Sequence, residues 1–150
     1  MPYLILYIED ESAIVELVKI IVQHTDIELI ASYSAALGLR IARERIPDLI
    51  MLDVMIPDRS GWSVFHEIRG DKHLSATPII MLTGQMHRYQ IKKEFEKSKI
   101  DAYITKPFDV MSVRVEIEKM LGYEFWSRDT MPKSRRKVLA RANYTNGKPI

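Results

Sequence analysis

Asp48-Leu-Ile-Met-Leu-Asp53-Val-Met-Ile-Pro57-Asp-Arg-Ser-Gly61 is the stretch whose reading decides the fold. Leu49 to Leu52 are four apolar residues in a row, too few for a helix and continuous enough for a strand covered on both faces. The run stops at Asp53. Pro57 and Gly61 then punctuate a loop, and a helical pattern opens beyond it. A carboxylate where a buried strand gives way to a loop sits where open α/β sheets place their chemistry. Asp53 is therefore the candidate working residue.

Upstream, Tyr3 to Ile8 is almost wholly apolar and reads as a buried strand that runs into three carboxylates, Glu9-Asp10-Glu11. Ser12 to His24 carries Ile14, Leu17, Val18 and Ile21 at helical spacing. Ile27 to Ser32 is a short strand. Ser34 is placed to cap a helix in which Ala35, Leu39, Ala42 and Ile46 keep the period, and Pro47 stops it.

Downstream, Val64, Phe65 and Ile68 mark a helix that ends near Gly70, and a polar loop follows over Asp71 to Thr77. Pro78 to Thr83 reads as a second doubly buried strand, broken by Gly84. His87 to Lys99 is a charged helical stretch anchored by Ile91 and Phe95. Asp101 to Thr105 is a strand that leads into Lys106-Pro107. Asp109 then caps Val110 to Leu121, with Val110, Val113, Ile117 and Met120 on one face. Val113 to Ile117 alternates like a strand, but the length of the segment favours helix. Five strands alternating with five helices predict a flavodoxin-like (βα)5 fold: a doubly wound, parallel five-stranded sheet in the order 2-1-3-4-5.

The chain has 150 residues, is 47% hydrophobic and contains no cysteine. That is one domain's worth of core, without disulfides, thiolate metal sites or thiol nucleophiles. The N-terminus has no basic region before its apolar run, and no run approaches the length of a membrane span. The expectation is a soluble cytoplasmic protein with no membrane partner. The net charge of +2 hides an asymmetry: Tyr123 to Ile150 holds seven basic and two acidic residues, which leaves the first 122 at −3. This divides the chain into a domain at 1–122 and a basic tail at 123–150 with room for a short helix, in which Lys133 to Ala142 is a basic stretch anchored by Val138 and Leu139.

In a parallel sheet every C-terminal strand end lies on one edge. That edge would carry Glu9 and Asp10 from the first strand, Asp53 from the third, Thr83 from the fourth and Lys106 from the fifth. Strands about 4.8 Å apart bring neighbouring ends within side-chain reach. Three crowded carboxylates must shift their proton affinities or bind a cation. An all-oxygen cluster suits a hard ion such as Mg2+, for which Mn2+ could substitute. Lys106 and the Thr83 hydroxyl add one cation and one hydrogen-bond donor, which a phosphoryl oxygen requires. The implied chemistry is in-line attack by the Asp53 carboxylate on a phosphoryl group.

From about residue 2 to 122 the chain resembles a response-regulator receiver domain of two-component signalling. The matching residues are the acidic pair in Ile8-Glu9-Asp10-Glu11, the acceptor in Asp53-Val-Met-Ile-Pro57 with Gly61 beyond it, Thr83, and Tyr103-Ile-Thr-Lys106-Pro107-Phe108. The resemblance implies that Asp53 is the phosphoacceptor and Asp10 a direct Mg2+ ligand, with Glu9 acting mainly through a metal-bound water. It makes the Met55 carbonyl a further ligand. Thr83 would hydrogen-bond the phosphoryl group and Lys106 would pair with it. Tyr103 would be the aromatic switch, and the Lys106–Pro107 peptide would be cis. The phosphodonor would be a sensor histidine kinase or a histidine phosphotransfer protein. The product would be a switch in protein–protein contacts with a downstream protein or a homodimer, rather than turnover of an external substrate.

Three rivals are weighed beside this expectation. A phosphorylation-independent interaction module on the same fold would lack some of the acidic or Lys positions, and none is lacking. A haloacid-dehalogenase-like phosphatase would carry a second Asp two residues after the first, where this chain has Met55. A DNA-binding regulator would act through the tail. For those 28 residues a solvated extension ranks first, and a docking or self-association arm built on Phe125, Trp126, Val138 and Leu139 second. Nucleic-acid contact ranks third, because basic charge without a motif gives only nonspecific affinity.

Overall fold

The structure, a computed structural model, describes residues 2–84 and 102–122. Five parallel strands form one sheet in the order β2-β1-β3-β4-β5. The strands are β1 (Tyr3–Ile8), β2 (Ile27–Ser32), β3 (Leu49–Asp53), β4 (Ile79–Gly84) and β5 (Ala102–Lys106). The described helices are α1 (Ser12–Val22), α2 (Ala35–Arg45), α3 (Gly61–Gly70) and α4 (Val110–Leu121). The expected helix at His87 to Lys99 and the tail at 123–150 lie outside the described residues.

Every residue of β3 is buried, as its unbroken apolar run predicts. Alternation along the strands sorts the core into two layers. Leu6, Ile8, Ile50 and Leu52 pack with Leu39 and Ala42 of α2 and Val64, Phe65 and Ile68 of α3. Ile5, Tyr7, Leu49 and Met51 pack on the other face with Val15, Val18 and Ile21 of α1 and Val113 and Ile117 of α4. Each such aliphatic side chain contributes about 1.5–3 kcal/mol by leaving water, an upper estimate because unfolded chains are partly compact.

The helix ends follow local chemistry. Ser34 accepts a hydrogen bond from the Leu37 amide and Asp109 accepts one from the Ser112 amide, so both predicted caps form. The start of α2 has a second cap that the sequence does not announce. Asp58, from the loop after β3, accepts from the amides of Ala35 and Ala36 at 2.9 and 3.1 Å. The β3–α3 loop is thereby tied to the neighbouring helix.

Four expectations need correction. The buried stripe of α1 is Val15, Val18, Ile21 and Val22, and Leu17 is only half-buried. Of the predicted face Val18 and Ile21 are buried and Ile14 packs half-buried at its margin, and the helix ends at Val22, with His24 in a left-handed turn (φ 60°). Ile46 is 47% exposed because α2 has already ended: it adopts φ 45° and donates its amide to Ala42, just ahead of Pro47. Gly84 does not break β4 but closes it, pairing with Lys106, and β5 likewise runs one residue further than expected.

Candidate functional site

Strand parity selects what the rim presents. Tyr7 faces the α1/α4 layer, and Glu9 follows it two residues later. Asp53 follows Met51 on the same face, and Lys106 continues the line of Ala102 and Ile104. Residues separated by as many as 97 positions therefore converge. The Lys106 ammonium donates to Glu9 Oε2 at 2.7 Å and to Asp53 Oδ2 at 3.0 Å. Its side chain is 16% exposed, that of Asp53 6% and that of Glu9 fully shielded. One oxygen of each of Glu9, Asp10 and Asp53 lies within 4.8 Å of the others, and Asp10 is the exposed member.

Each carboxylate oxygen that faces inward has a partner. Asp53 Oδ1 accepts from the Met55 amide at 3.0 Å. Glu9 Oε1 accepts from the Glu11 amide at 3.3 Å, and Glu9 Oε2 takes the Tyr7 hydroxyl, also at 3.3 Å, beside Lys106. Gly61 shapes the loop. A Cβ there would lie 2.1 Å from the Asp53 carbonyl oxygen and 2.8 Å from Val54 Cα, and the Gly61 amide donates to Val54 at 2.9 Å. Only glycine lets α3 start this close to the acceptor strand. The Lys106–Pro107 peptide is cis, as expected.

The electrostatics follow from burial and crowding. Removal from water, with Asp53 adding to it, pushes the Glu9 carboxyl up to about 7 against the opposing pull of Lys106. Burial alone would lower the Lys106 ammonium, but its bonds to Glu9 and Asp53 outweigh that and raise it. Burial, then the nearby Glu9 and Asp53 charges, drives the Tyr7 hydroxyl far up, so it stays a donor. The site is thus one fixed cation held between carboxylates that have room for a second.

The other two expected residues stand differently. Thr83 is buried at the end of β4, and its hydroxyl donates to the Gly84 carbonyl at 3.1 Å, not to the acidic cluster. Tyr103 lies on the opposite parity of β5 from Lys106 and is 37% exposed. The Met55 side chain is 61% exposed, and its backbone is what meets Asp53. Tyr7 is the site residue that sequence reasoning missed. Within the almost wholly apolar run Tyr3 to Ile8 it reads as core, although its place two positions before Glu9 on a strand puts both on one face.

The sequence matches the family described as the response regulator receiver domain over residues 5–118. It is 34% identical over 117 residues to the DNA-binding dual master transcriptional regulator RpaA of Synechocystis, a match that covers 78% of this chain and 48% of that protein. It is 29% identical over 125 residues to the polar-differentiation response regulator DivK of Brucella anthropi, covering 81% of this chain and 98% of DivK. The chain thus spans about half the length of RpaA and of two further regulators it matches, and nearly all of DivK. Among solved structures, the receiver domain of a sensor histidine kinase from Pseudomonas aeruginosa, with a magnesium ion coordinated in its active-site cleft, superposes with a TM-score of 0.72. That match has 20% identity and covers 82% of this chain and all of the other.

Proposed function

The chain belongs to the response regulator receiver domain family, and from that premise we propose that it accepts a phosphoryl group on Asp53 from a phosphohistidine donor and signals by altered protein contacts. Receiver domains are signalling modules rather than turnover enzymes. The observation that carries the reading is Lys106, whose ammonium bonds both Asp53 and Glu9 from the far end of the sheet. No described helix is long and apolar enough to cross a membrane.

Asp53 supplies the nucleophile. Its Oδ1 is fixed by the Met55 amide, so the carboxylate is oriented before a donor arrives. An Asp53 oxygen attacks phosphorus in line, the P–N bond to the donor imidazole breaks, and its electron pair leaves with the imidazole. Lys106 meets the phosphoryl oxygens as they approach. Rotation about the Thr83 side chain carries its hydroxyl from the Gly84 carbonyl to the phosphoryl group. Tyr103, paired in register with Met81, would then turn inward and change the exposed surface.

The donor set fits Mg2+, being all oxygen, tri-acidic and open on the Asp10 side. Asp10 and Asp53 would be direct ligands with the Met55 carbonyl. Glu9, whose oxygens already accept from Lys106, Tyr7 and Glu11, would act through an intervening water. When bound, the ion offsets the charge of the carboxylates and of the incoming phosphoryl oxygens.

The test is incubation with acetyl phosphate and Mg2+, read by intact mass and peptide mapping. One phosphoryl group is expected on the wild type, mapped to Asp53 and dependent on the metal. No gain in mass, from this donor or from a phosphorylated histidine phosphotransfer protein, would return the chain to the interaction-module rival.

Mg2+ affinity carries a pH signature. The folded-state proton affinity of Glu9 lies above its ordinary 4.5, at about 7. The stability gained from protonated Glu9 is therefore present at low pH and lost as pH rises through about 7. Mg2+ needs the carboxylate, so its binding displaces that proton below neutrality. Apparent affinity should be flat above about pH 7 and fall by up to about tenfold per pH unit below it. Calorimetric titrations across this range check it, and an unchanged affinity down to about pH 6 would contradict it.

A further inference from the structure

We propose that Tyr7 is a positioning residue for the phosphoacceptor site: its hydroxyl keeps Glu9 partnered when Lys106 is drawn away to the phosphoryl group. This rests on the reading of Asp53 as acceptor and adds a residue to that mechanism.

Glu9 Oε2 carries two donors, the Lys106 ammonium at 2.7 Å and the Tyr7 hydroxyl at 3.3 Å. The shorter bond is the one that phosphorylation disturbs. A phosphoryl group on Asp53 adds negative oxygens next to the ammonium, which now sits between Asp53 and Glu9. As Lys106 turns to them, its hold on Glu9 weakens. Glu9 is fully shielded from bulk solvent, so apart from a metal-bound water only a protein donor can replace the one that is lost. A buried carboxylate left with the Glu11 amide as its one protein donor would resist the lysine's departure.

Tyr7 removes that resistance. It is itself fully buried in a central strand, paired with Ala31 on one side and Met51 on the other, so its ring cannot follow the lysine. Its hydroxyl is already aimed at the oxygen Lys106 would vacate, and its bond can shorten as the ammonium leaves. A phenylalanine would fill the same apolar space in the layer under α1 and α4 and lack this function. The hydroxyl is therefore more than a tolerated polar atom in a core.

Tyr7→Phe removes one oxygen and leaves the ring. Beryllofluoride serves as the phosphoryl mimic, with Mg2+ saturating and binding followed by intrinsic fluorescence or by NMR. The variant should bind beryllofluoride about tenfold more weakly than wild type, the loss expected for one hydrogen bond to a buried charge. Its Mg2+ affinity measured without beryllofluoride should stay within about twofold. In a Lys106→Met background, where no lysine departs, the same substitution should change beryllofluoride affinity by less than about twofold. Equal affinity in wild type and Tyr7→Phe, or an equal loss in both backgrounds, overturns the proposal. A parallel fall in Mg2+ affinity also overturns it, because Tyr7 would then be holding the cation site and not releasing Lys106.

One measurement needs no variant to fold. In the wild type the buried Tyr7 hydroxyl proton should move downfield on beryllofluoride binding as its bond to Glu9 shortens, and an unmoved resonance counts against the role. If the wild type binds beryllofluoride and takes up phosphate but the Tyr7 results are negative, this inference fails alone. If the wild type does neither, the phosphoacceptor reading fails and takes this one with it.

Discussion

Asp53→Asn gains no phosphoryl mass from acetyl phosphate and Mg2+ under conditions that label the wild type, and it remains folded. The loss is complete because an amide nitrogen does not form the acyl phosphate, and among the described residues neither of the two neighbouring carboxylates has the same supports. Asp10 is exposed, and Glu9 is enclosed by Lys106, Tyr7 and the Glu11 amide. Folding survives because two effects oppose. Asp53 accepts from the Met55 amide on one oxygen and from Lys106 on the other, and asparagine offers a single oxygen for both. Leaving one donor unpaired costs about 1–3 kcal/mol. Against this, Asp53 is one of the charges that raise the proton affinity of Glu9, so its removal relieves crowding and brings Glu9 back toward its ordinary range. The midpoint of thermal unfolding should therefore move little while phosphate uptake vanishes. Persisting uptake in this variant would transfer the acceptor role to another residue and end the proposed mechanism.

The fold was legible wherever burial decides structure. The unbroken Leu49–Leu52 run became the fully buried β3, and capping chemistry fixed the starts of α2 and α4 at Ser34 and Asp109. What sequence reasoning misplaced were choices settled by neighbours. Ile14, Leu17, Val18 and Ile21 and the shifted set Val15, Val18, Ile21 and Val22 both satisfy helical spacing, and packing against β1 and β2 selects the second. Gly84 reads as a breaker in isolation but is held in β4 by its pairing with Lys106, a partner 22 positions on. Ile46 fits the helical period but cannot sit on the core face once the chain turns left-handed ahead of Pro47.

The candidate site was legible as a set of strand ends but not as a network. Sequence places Glu9, Asp10, Asp53 and Lys106 on one rim, and the structure brings all four together. The sequence does not reveal that Lys106 reaches Glu9 at 2.7 Å as well as Asp53 at 3.0 Å, because that depends on strand parity and side-chain length together. Tyr7 lies in an almost wholly apolar run and reads as core, although the parity it shares with Glu9 is a usable signal. Asp58 had no such signal. It caps a helix 22 and 23 residues earlier in the chain, a relation that only the finished fold creates.

Gly61→Ala is expected to lower stability and phosphate uptake together, and the geometry says why the two cannot be separated. The new Cβ would lie 2.1 Å from the Asp53 carbonyl oxygen, 2.8 Å from Val54 Cα and 3.0 Å from the Asp53 carbonyl carbon. All three are backbone atoms of the acceptor strand's end, so no side chain can rotate to make room. At Gly38, by contrast, the crowding atoms belong to the side chain of Ile8. Relief at Gly61 must come from moving the first turn of α3 or from twisting the peptide that follows Asp53. Moving α3 strains the Gly61–Val54 hydrogen bond and the packing of Val64, Phe65 and Ile68. Twisting the peptide displaces the Met55 amide from Asp53 Oδ1 and re-aims the nucleophile. Overpacking of this kind costs up to about 3 kcal/mol. For a domain of this size that corresponds to a fall of roughly 10 °C in Tm. The initial rate of labelling by acetyl phosphate should drop at least about tenfold, because displacements of about 1 Å at a reacting group can cost more than that. Thermal unfolding and time-resolved intact mass measure the two effects. A variant that is destabilised yet labelled at the wild-type rate would show that α3 yields and the Asp53 loop does not, and would remove Gly61 from the account of how the acceptor is held.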